Sequence, residues 1–361
     1  MMIQRTTFEG KSQMSHKNRS ADTNVPADKQ VSTVDRRDFL RRVSMAAGGG
    51  LLGVFPGSRL SNLQAAKKED QPVSQEAIPI IDTHQHLWDL SKLKLNWLEE
   101  APTLNRNFLM ADYLKATEGL NIVKTVYMEV DADPDDHKAE AEYVIDLCQR
   151  DDNPMAAAVI SGRPNSREFK DYITPLAANQ YIKGVRQILH VPAAERGLCL
   201  EPQFVRSIRL LGKLGLSYDL CMRPGEIVDG VKLIEKCPQT RFVIDHCGNM
   251  PVQSTDTALR KTWMKGMQAA ASHENVVCKI SGIIVTADKD NWKPADLAPN
   301  VNFCMETFGE DRAYFAGDWP VCTLTASYRE WADALKWIVR DRSATFQRKL
   351  FHDNAAKFYE I

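Results

Sequence analysis

The sequence predicts an α/β protein that folds as a (β/α)8 TIM barrel after a disordered N-terminal export segment. From position 76 onward, short β-branched apolar runs alternate with longer segments whose apolar residues recur at helical spacing. Such alternation is typical of a parallel sheet that is buried on both faces. Eight such units over about 250 residues match the size of a closed barrel. An open doubly wound sheet is the alternative, but no GxGxxG motif follows the first apolar run.

The composition is that of an ordinary globular protein. The 361 residues suffice for one large barrel and an appendage, and 43% of them are apolar and 26% charged. The formal net charge of −1 excludes a global attraction to nucleic acid or to an anionic membrane. We therefore expect a small-molecule substrate as the partner, and no stable membrane insertion unless the export signal is retained. The oligomeric state stays open.

The eight cysteines are widely spaced, form no CxxC pair, and fall in part inside apolar strand-like runs. A free cysteine behaves as a small apolar residue and is often buried. The spacing therefore predicts buried free thiols rather than disulfides.

The N-terminal region carries the features of an export signal. Residues 1–34 are polar and lack periodicity, which is typical of disorder. Arg36 and Arg37 then precede Phe39 and Leu40, and an apolar stretch with three consecutive glycines follows, too short to span a bilayer. This order resembles the bacterial twin-arginine signal, although a basic helix start is the alternative. The predicted parts are a signal region over 1–66, cleaved or retained, a linker over 67–75, and a barrel over 76–361.

Eight apolar runs are the predicted strands of the barrel, and segments such as 139–148 and 204–211 have the periodicity of the intervening helices. In order, the strands are expected at 78–83, 123–130, 155–160, 181–189, 216–222, 241–245, 276–281 and 313–316.

Ionisable residues recur at the C-terminal ends of these runs, where the catalytic groups of a barrel lie. Because parallel strands end at the same edge, these side chains are expected to lie close together. The candidates are His84 and His86 after the first run, Glu129 at the end of the second, Arg186 at the end of the fourth, Arg223 beyond the fifth, His246 after the sixth, Lys279 in the seventh and Asp318 after the eighth.

His84 and His86 are two positions apart, so on an extended segment both imidazoles point the same way. Two converging imidazoles are a ready ligand pair for a divalent metal ion. Asp318 could complete that site or act as a base on water, and a bound metal would lower the pKa of its water. Without a metal, the aspartate could deprotonate water while histidine and arginine donors stabilise an oxyanion.

The remaining candidates have a functional and a structural interpretation each. The planar fork of Arg186 suits a substrate carboxylate, but the residue could instead form a salt bridge at the barrel mouth. Glu129, Lys279 and Arg223 are also candidates for substrate binding, and Glu129 could simply pair with a nearby Lys or Arg. His246 could be a hydrogen-bonded core histidine, and Asp318 a helix N-cap.

Seven short motifs, in order along the chain, carry a resemblance to a known family. The sequence resembles the lactonase branch of the amidohydrolase superfamily, amidohydrolase family 2, which includes sugar-acid lactonases and 2-pyrone-4,6-dicarboxylate lactonase. The resemblance runs from about position 78 to the C-terminus. The motifs are IDTHQHLW at 81–88, KGVR at 183–186, GLSYDL at 215–220, VIDHCG at 243–248, KISG at 279–282, GDWPV at 317–321 and NAAKFY at 354–359.

The resemblance implies a barrel of the metal-dependent-hydrolase type and a role for four residues. It implies that His84 and His86 bind a metal or polarise a carbonyl, that His246 is the sixth-strand histidine, and that Asp318 activates water. These four are the implied metal ligands. The fourth strand offers Lys183 and Arg186, and the fifth has no histidine, which departs from a binuclear site. We therefore expect one divalent ion, with zinc favoured, or none.

The function that the resemblance implies is a hydrolase that opens a sugar-acid lactone or a related cyclic ester by Asp-activated attack of water. Three alternatives stay open: a metal-dependent decarboxylase, another ester or amide hydrolase, and a barrel that binds sugar acids without catalysis. The related decarboxylases usually keep a histidine after the fifth strand, which this chain lacks. The predicted location is the periplasm.

Overall fold

The structure is a computed structural model that describes residues 78–361. The predicted signal region and linker lie outside the described residues. Between Ile78 and Ile361, no helix is long and apolar enough to cross a membrane.

Eight parallel strands form one sheet in which each strand pairs with the next along the chain. The sheet closes on itself where Gln85 forms a parallel bridge with Trp319, just beyond the last strand. Two backbone hydrogen bonds seal this seam, from His86 N to Trp319 O at 2.8 Å and from Asp318 N to His84 O at 2.9 Å. The strands are β1 Ile80–Gln85, β2 Ile122–Met128, β3 Met155–Ser161, β4 Ile182–Ile188, β5 Ser217–Cys221, β6 Arg241–Ile244, β7 Val276–Ile280 and β8 Ala313–Phe315.

Helices follow the strands and cover the outside of the barrel, as expected for βα units. In the described part of the chain they are α1 Met110–Ala116, α2 His137–Cys148, α3 Phe169–Leu176, α4 Pro202–Lys213, α5 Ile227–Lys236, α6 Thr257–Ala271, α7 Pro294–Phe308, α8 Tyr328–Val339, α9 Ala344–Arg348 and α10 Asn354–Tyr359.

The predicted (β/α)8 architecture agrees with this arrangement, and each predicted strand begins and ends within two residues of the observed one. One boundary changes the description of the site. His84 was expected to follow the first strand, whereas it lies inside β1. The eight cysteines are all buried and free, which confirms the prediction of free thiols.

Alternate side chains of the strands face two different environments. One set, which includes Ile80, Ile160 and Phe242, belongs to the large apolar cluster shared with the helices. The other set belongs to a smaller cluster that includes Ile81 and Val277 together with Tyr359 of α10. The C-terminal helix thus packs on the apolar lower half of the barrel, and the opposite half is left for polar side chains.

Candidate active site

A β-bulge in β1 directs the first histidine towards the site. Asp82 pairs with Thr125 and Gln85 with Tyr127, so three residue steps on β1 oppose two on β2. A bulge of one extra residue locally twists a strand and turns its side chains. His84 lies inside this bulge, and its imidazole is fully buried among the other site residues.

Asp82 holds the two ends of the barrel seam together. Its buried carboxylate accepts hydrogen bonds from the backbone N–H of His84 at 3.0 Å and of Gly317 at 2.7 Å. It also accepts from the hydroxyls of Tyr113 at 2.9 Å and Tyr328 at 3.0 Å. A Cβ at Gly317 would lie 2.6 Å from the Asp82 carboxylate and 2.3 Å from the Tyr328 ring, so only glycine allows this approach. Asp82 therefore sets the distance between His84 and the loop that carries Asp318.

The structure brings together the four residues that the sequence singled out as catalytic or metal-binding. The Nε2 atoms of His84 and His86 are 3.1 Å apart. Asp318 Oδ1 lies 3.4 Å from His86 Nε2, 3.6 Å from His84 Nε2 and 4.0 Å from His246 Nε2. One carboxylate oxygen thus faces three imidazoles at the C-terminal end of the barrel.

Hydrogen bonds on the far side of each ring fix two of these histidines. His86 Nδ1 lies 2.9 Å from the Met128 carbonyl oxygen, which can only accept, so the proton is on Nδ1. The Nε2 lone pair of His86 therefore faces the site. His246 Nδ1 lies 2.9 Å from Ser281 Oγ, which holds its Nε2 towards Asp318.

Arg186 lies beneath the histidines and is 2% exposed. Its Nε donates to Glu129 Oε1 at 2.7 Å and its Nη2 to the Glu129 carbonyl oxygen at 2.8 Å. Its Nη1 lies 3.1 Å from His84 Nε2 and 3.3 Å from Asp245 Oδ2. Burial alone would raise the pKa of Glu129, but Arg186 and Arg163 hold it below its ordinary value. The structure thus shows the buried salt bridge that was the structural alternative for Arg186 and Glu129.

Lys279 is fully buried, and its ammonium group bridges two carboxylates. Its Nζ lies 2.6 Å from Asp219 Oδ2 and 3.3 Å from Asp245 Oδ1. Burial raises the pKa of Asp219 to about 7. Burial alone would also raise the pKa of Asp245, but Lys279, His246 and Arg186 hold it below its ordinary value. Lys279 therefore contacts protein carboxylates within the barrel.

Arg223 lies apart from this cluster: within the described part of the chain, none of its hydrogen bonds reaches a residue of the cluster. Its guanidinium donates to Glu226 at 2.7 Å and to the carbonyl oxygens of Val191 and Ala194, both at 2.9 Å. These bonds join the loops that follow β4 and β5. Substrate binding by Arg223, Arg186, Glu129 and Lys279 stays a prediction.

Three buried aspartates were missed as site residues. Asp82 aligns β1 with the last loop, Asp245 contacts Arg186 and Lys279, and Asp219 contacts Lys279. Each is a carboxylate inside or at the end of an apolar strand run. Aspartate is almost never buried without a partner, so its presence in an apolar strand run was the available signal. The sequence could not identify the partner.

The donor set of the site fits one cation. His84, His86 and Asp318 each offer one ligand atom, and these atoms lie within 4.8 Å of one another. Burial lowers the pKa of His84 well below its ordinary value, and His246 and Lys279 lower it further, so the ring is neutral. Arg186 can only donate, so His84 Nε2 accepts from it, and His86 Nε2 lies 3.1 Å from the same His84 atom. A shared proton or a metal ion would stabilise two ring nitrogens this close together.

A second group, His84, Asp245 and His246, could also offer three ligand atoms. However, Asp245 is already contacted by the ammonium of Lys279 at 3.3 Å and the guanidinium of Arg186 at 3.3 Å. Two fixed cations on its only carboxylate disfavour a metal ion there.

The chain is similar to known proteins over nearly all of its described residues. A model of the amidohydrolase family matches residues 81–361. The L-fucono-1,5-lactonase of Burkholderia multivorans is 25% identical over 297 residues, which cover 78% of this chain and 96% of the relative. An uncharacterised protein of Sinorhizobium fredii is 28% identical over 303 residues, which cover 79% of this chain and 99% of the relative.

A solved structure shows a similar fold. An amidohydrolase from Burkholderia multivorans, crystallised with bound zinc, superposes with a TM-score of 0.68 at 24% identity and covers 78% of this chain and 99% of its own. At this identity the likeness is one of fold.

Proposed function

The chain belongs to the amidohydrolase family, and from this premise we propose that it is a lactonase that opens a sugar-acid lactone or a related cyclic ester. The observation that carries the proposal is one carboxylate, Asp318, facing three imidazoles at the C-terminal end of the barrel. The matched relative named L-fucono-1,5-lactonase supports the substrate class.

In the proposed reaction, Asp318 accepts a proton from water while the water oxygen attacks the lactone carbonyl carbon. Negative charge then develops on the carbonyl oxygen. Arg186 is paired with Glu129 and Asp245 behind His84, so it acts on this charge only through His84. The ring C–O bond breaks as the tetrahedral intermediate collapses, and the leaving oxygen takes the proton that Asp318 had accepted. Water and lactone thus become a hydroxy acid, and Asp318 is again ionised.

His84, His86 and Asp318 would hold a divalent ion, for which we propose zinc because it takes imidazole and carboxylate ligands. When bound, such an ion supplies Lewis-acid polarisation of the carbonyl and a lowered pKa for water. His246, held by Ser281, would help to orient the carboxylate of Asp318, whose Oδ1 lies 4.0 Å from His246 Nε2. β5 ends at Cys221 and has no histidine, which leaves the decarboxylase alternative with less support.

The proposal is tested by acid release over a panel of sugar-acid lactones, with the matching open-chain methyl esters as controls. We expect at least one lactone to be hydrolysed faster than its open-chain ester. In water enriched in ¹⁸O, the label should enter the carboxylate of the product, because water attacks the carbonyl carbon. No acid release from any lactone above the buffer rate would contradict the proposal, and hydrolysis of the esters alone would favour a different ester hydrolase.

We also propose that the protein is exported through the twin-arginine route, on the basis of Arg36 and Arg37 before Phe39 and Leu40. Replacement of both arginines by lysine should leave the protein in the cytoplasm. Unchanged export of the double variant, measured by cell fractionation, would contradict this proposal.

A further inference from the structure

Two buried polar atoms face each other below the site, and neither has a hydrogen-bond partner. They are His84 Nδ1 and Asp245 Oδ1, which are 3.8 Å apart and belong to side chains with no exposed surface. Buried polar atoms in folded proteins almost always have a partner. Asp245 Oδ1 has the Lys279 ammonium at 3.3 Å, so the unsatisfied His84 Nδ1 is the atom that calls for an explanation. A relative movement of about 0.6–0.9 Å between the two side chains would bring the two atoms within hydrogen-bond distance.

The donors around His84 determine where its proton lies. Arg186 Nη1 is 3.1 Å from His84 Nε2, and a guanidinium can only donate. His84 Nε2 is therefore the acceptor, and the proton of the neutral ring is on Nδ1. The acceptor that faces this proton is Asp245 Oδ1.

Asp245 is itself held in place by two cations. Lys279 Nζ lies 3.3 Å from Asp245 Oδ1, and Arg186 Nη1 lies 3.3 Å from Asp245 Oδ2. Asp219 holds Lys279 from the other side at 2.6 Å. Buried ion pairs of this kind contribute little stability relative to apolar residues of similar volume, so stability alone does not account for the network.

We propose that Asp245 is a positioning residue that fixes the Nδ1–H tautomer and the orientation of His84, and that Lys279 holds Asp245 in the position where it does so. The Nε2 atom of His84 then stays unprotonated, so that it accepts from Arg186 in this structure and would be the ligand atom towards a metal ion held with His86 and Asp318. This role deepens the proposed function, on which its activity readout rests, and it gives Lys279 a task inside the barrel rather than at the substrate.

The first test is Asp245→Asn, read by ¹⁵N NMR of the full chain labelled at histidine. The chain has eight histidines, so the His84 resonances are identified by their loss in His84→Gln. We expect protonated Nδ1 and bare Nε2 in the unchanged protein, and a mixture of tautomers or a reversal in Asp245→Asn. With the preferred lactone as substrate, kcat should fall by about 10–100-fold, the usual cost of losing a partner behind a catalytic ligand, while KM changes less.

A second variant covers the case in which Asp245→Asn does not fold. The double change Lys279→Met with Asp219→Asn removes one positive and one negative charge, so the net charge of the barrel interior is unchanged. Asp245 then lacks the ammonium group that contacts its Oδ1. Like Asp245→Asn, this double variant should show a mixture or a reversal of the His84 tautomers in the ¹⁵N spectrum, together with a loss of kcat.

The matched control is Glu140→Gln, a buried carboxylate that accepts from Val130 N, Ser161 N and the Tyr127 hydroxyl and has no contact with His84 among its hydrogen bonds. It should lower the melting temperature but leave the His84 signals unchanged and kcat within about threefold. Protonated Nε2 in the unchanged protein overturns the proposal, as does an unchanged His84 tautomer in a folded variant of Asp245 or Lys279. The NMR readout needs no substrate, so a protein that opens no lactone would refute the proposed function and leave this test intact.

Discussion

The lower and upper halves of the barrel interior are built from the same strands, yet they have opposite chemistry. On β7, Val277 belongs to the apolar cluster that α10 covers, whereas Lys279, two residues further along, contacts two carboxylates. Val243 on β6 and Asp245, the residue that follows this strand, show the same change. The change from apolar core to polar site therefore occurs partway along the strands, at about the same height around the barrel.

The difference between the halves indicates which part stabilises the fold and which part performs chemistry. Burial of apolar surface in the lower half contributes favourably, at about 25 cal/mol per Å² removed from water. In the upper half, the charges of Arg186, Lys279, Glu129 and Asp245 are buried at a desolvation cost that their mutual attraction only offsets. Truncation of apolar side chains in the lower half should therefore lower stability, whereas substitution of the residues around Asp318 in the upper half should mainly lower activity.

The largest expected effect belongs to the upper half. Asp318→Asn removes the group that accepts a proton, which should lower kcat by about 10²–10⁴-fold. Asparagine tolerates the positive φ of 56° at this position, so the melting temperature should hardly change. The measurements are acid release from the preferred lactone and thermal unfolding. Activity within threefold of the unchanged protein would mean that Asp318 is not the base.

The corresponding change in the lower half is Ile81→Ala. Ile81 is fully buried in the inner apolar cluster, and loss of such a side chain typically lowers the free energy of unfolding by about 2–5 kcal/mol. The activity per folded molecule should stay the same. Urea unfolding measures the free energy of unfolding, and active-site titration measures the activity per folded molecule. A stable but inactive variant would contradict the division of roles between the lower and upper halves of the barrel.

Arg186→Lys probes the boundary, because Arg186 contacts both the carboxylates and His84. Lysine keeps the charge but loses the planar fork that binds Glu129. We expect a loss of about 1–3 kcal/mol for the buried acceptors left without a donor, together with lower kcat. Arg312→Lys is the control, since Arg312 bonds the carbonyls of His273, Val276 and Ala271. Loss of stability without loss of activity is expected there, and the same result for Arg186 would place it in the core alone.

A smaller effect than that of Arg186→Lys on activity is expected from one of a pair of glycine substitutions. Gly282 and Gly309 have positive φ values of 66° and 75°, so the backbone strain of alanine at either position should cost about 1–3 kcal/mol, to which the overlap with His246 adds at Gly282. A Cβ at Gly282 would lie 2.3 Å from His246 Nδ1, whereas nothing lies within 4 Å of one at Gly309. Only Gly282→Ala should therefore lower kcat, by up to about 10²-fold for a displaced catalytic group. Equal activity of the two variants would show that the position of His246 does not matter.

The sequence predicted the strands closely because each is a continuous apolar run bounded by segments of helical periodicity. It also predicted that His84, His86, His246 and Asp318 would meet, because parallel strands of a barrel end at one face. It did not predict the partners of Arg186 or Lys279. It also missed the bulge in β1, since an extra residue in one strand is visible only against the register of its neighbour.

The sequence alone determined the order of the elements, the face that carries the site, and the four site residues His84, His86, His246 and Asp318, since these follow from local periodicity and strand direction. The tertiary structure alone decided that Arg186 binds Glu129, 57 positions away, and that Lys279 binds Asp219, 60 positions away. Each strand offers several ionisable side chains, and local pattern does not rank their possible pairs. The choice depends on the register between strands and on the distances across the closed barrel, because buried charges interact strongly only when they are close.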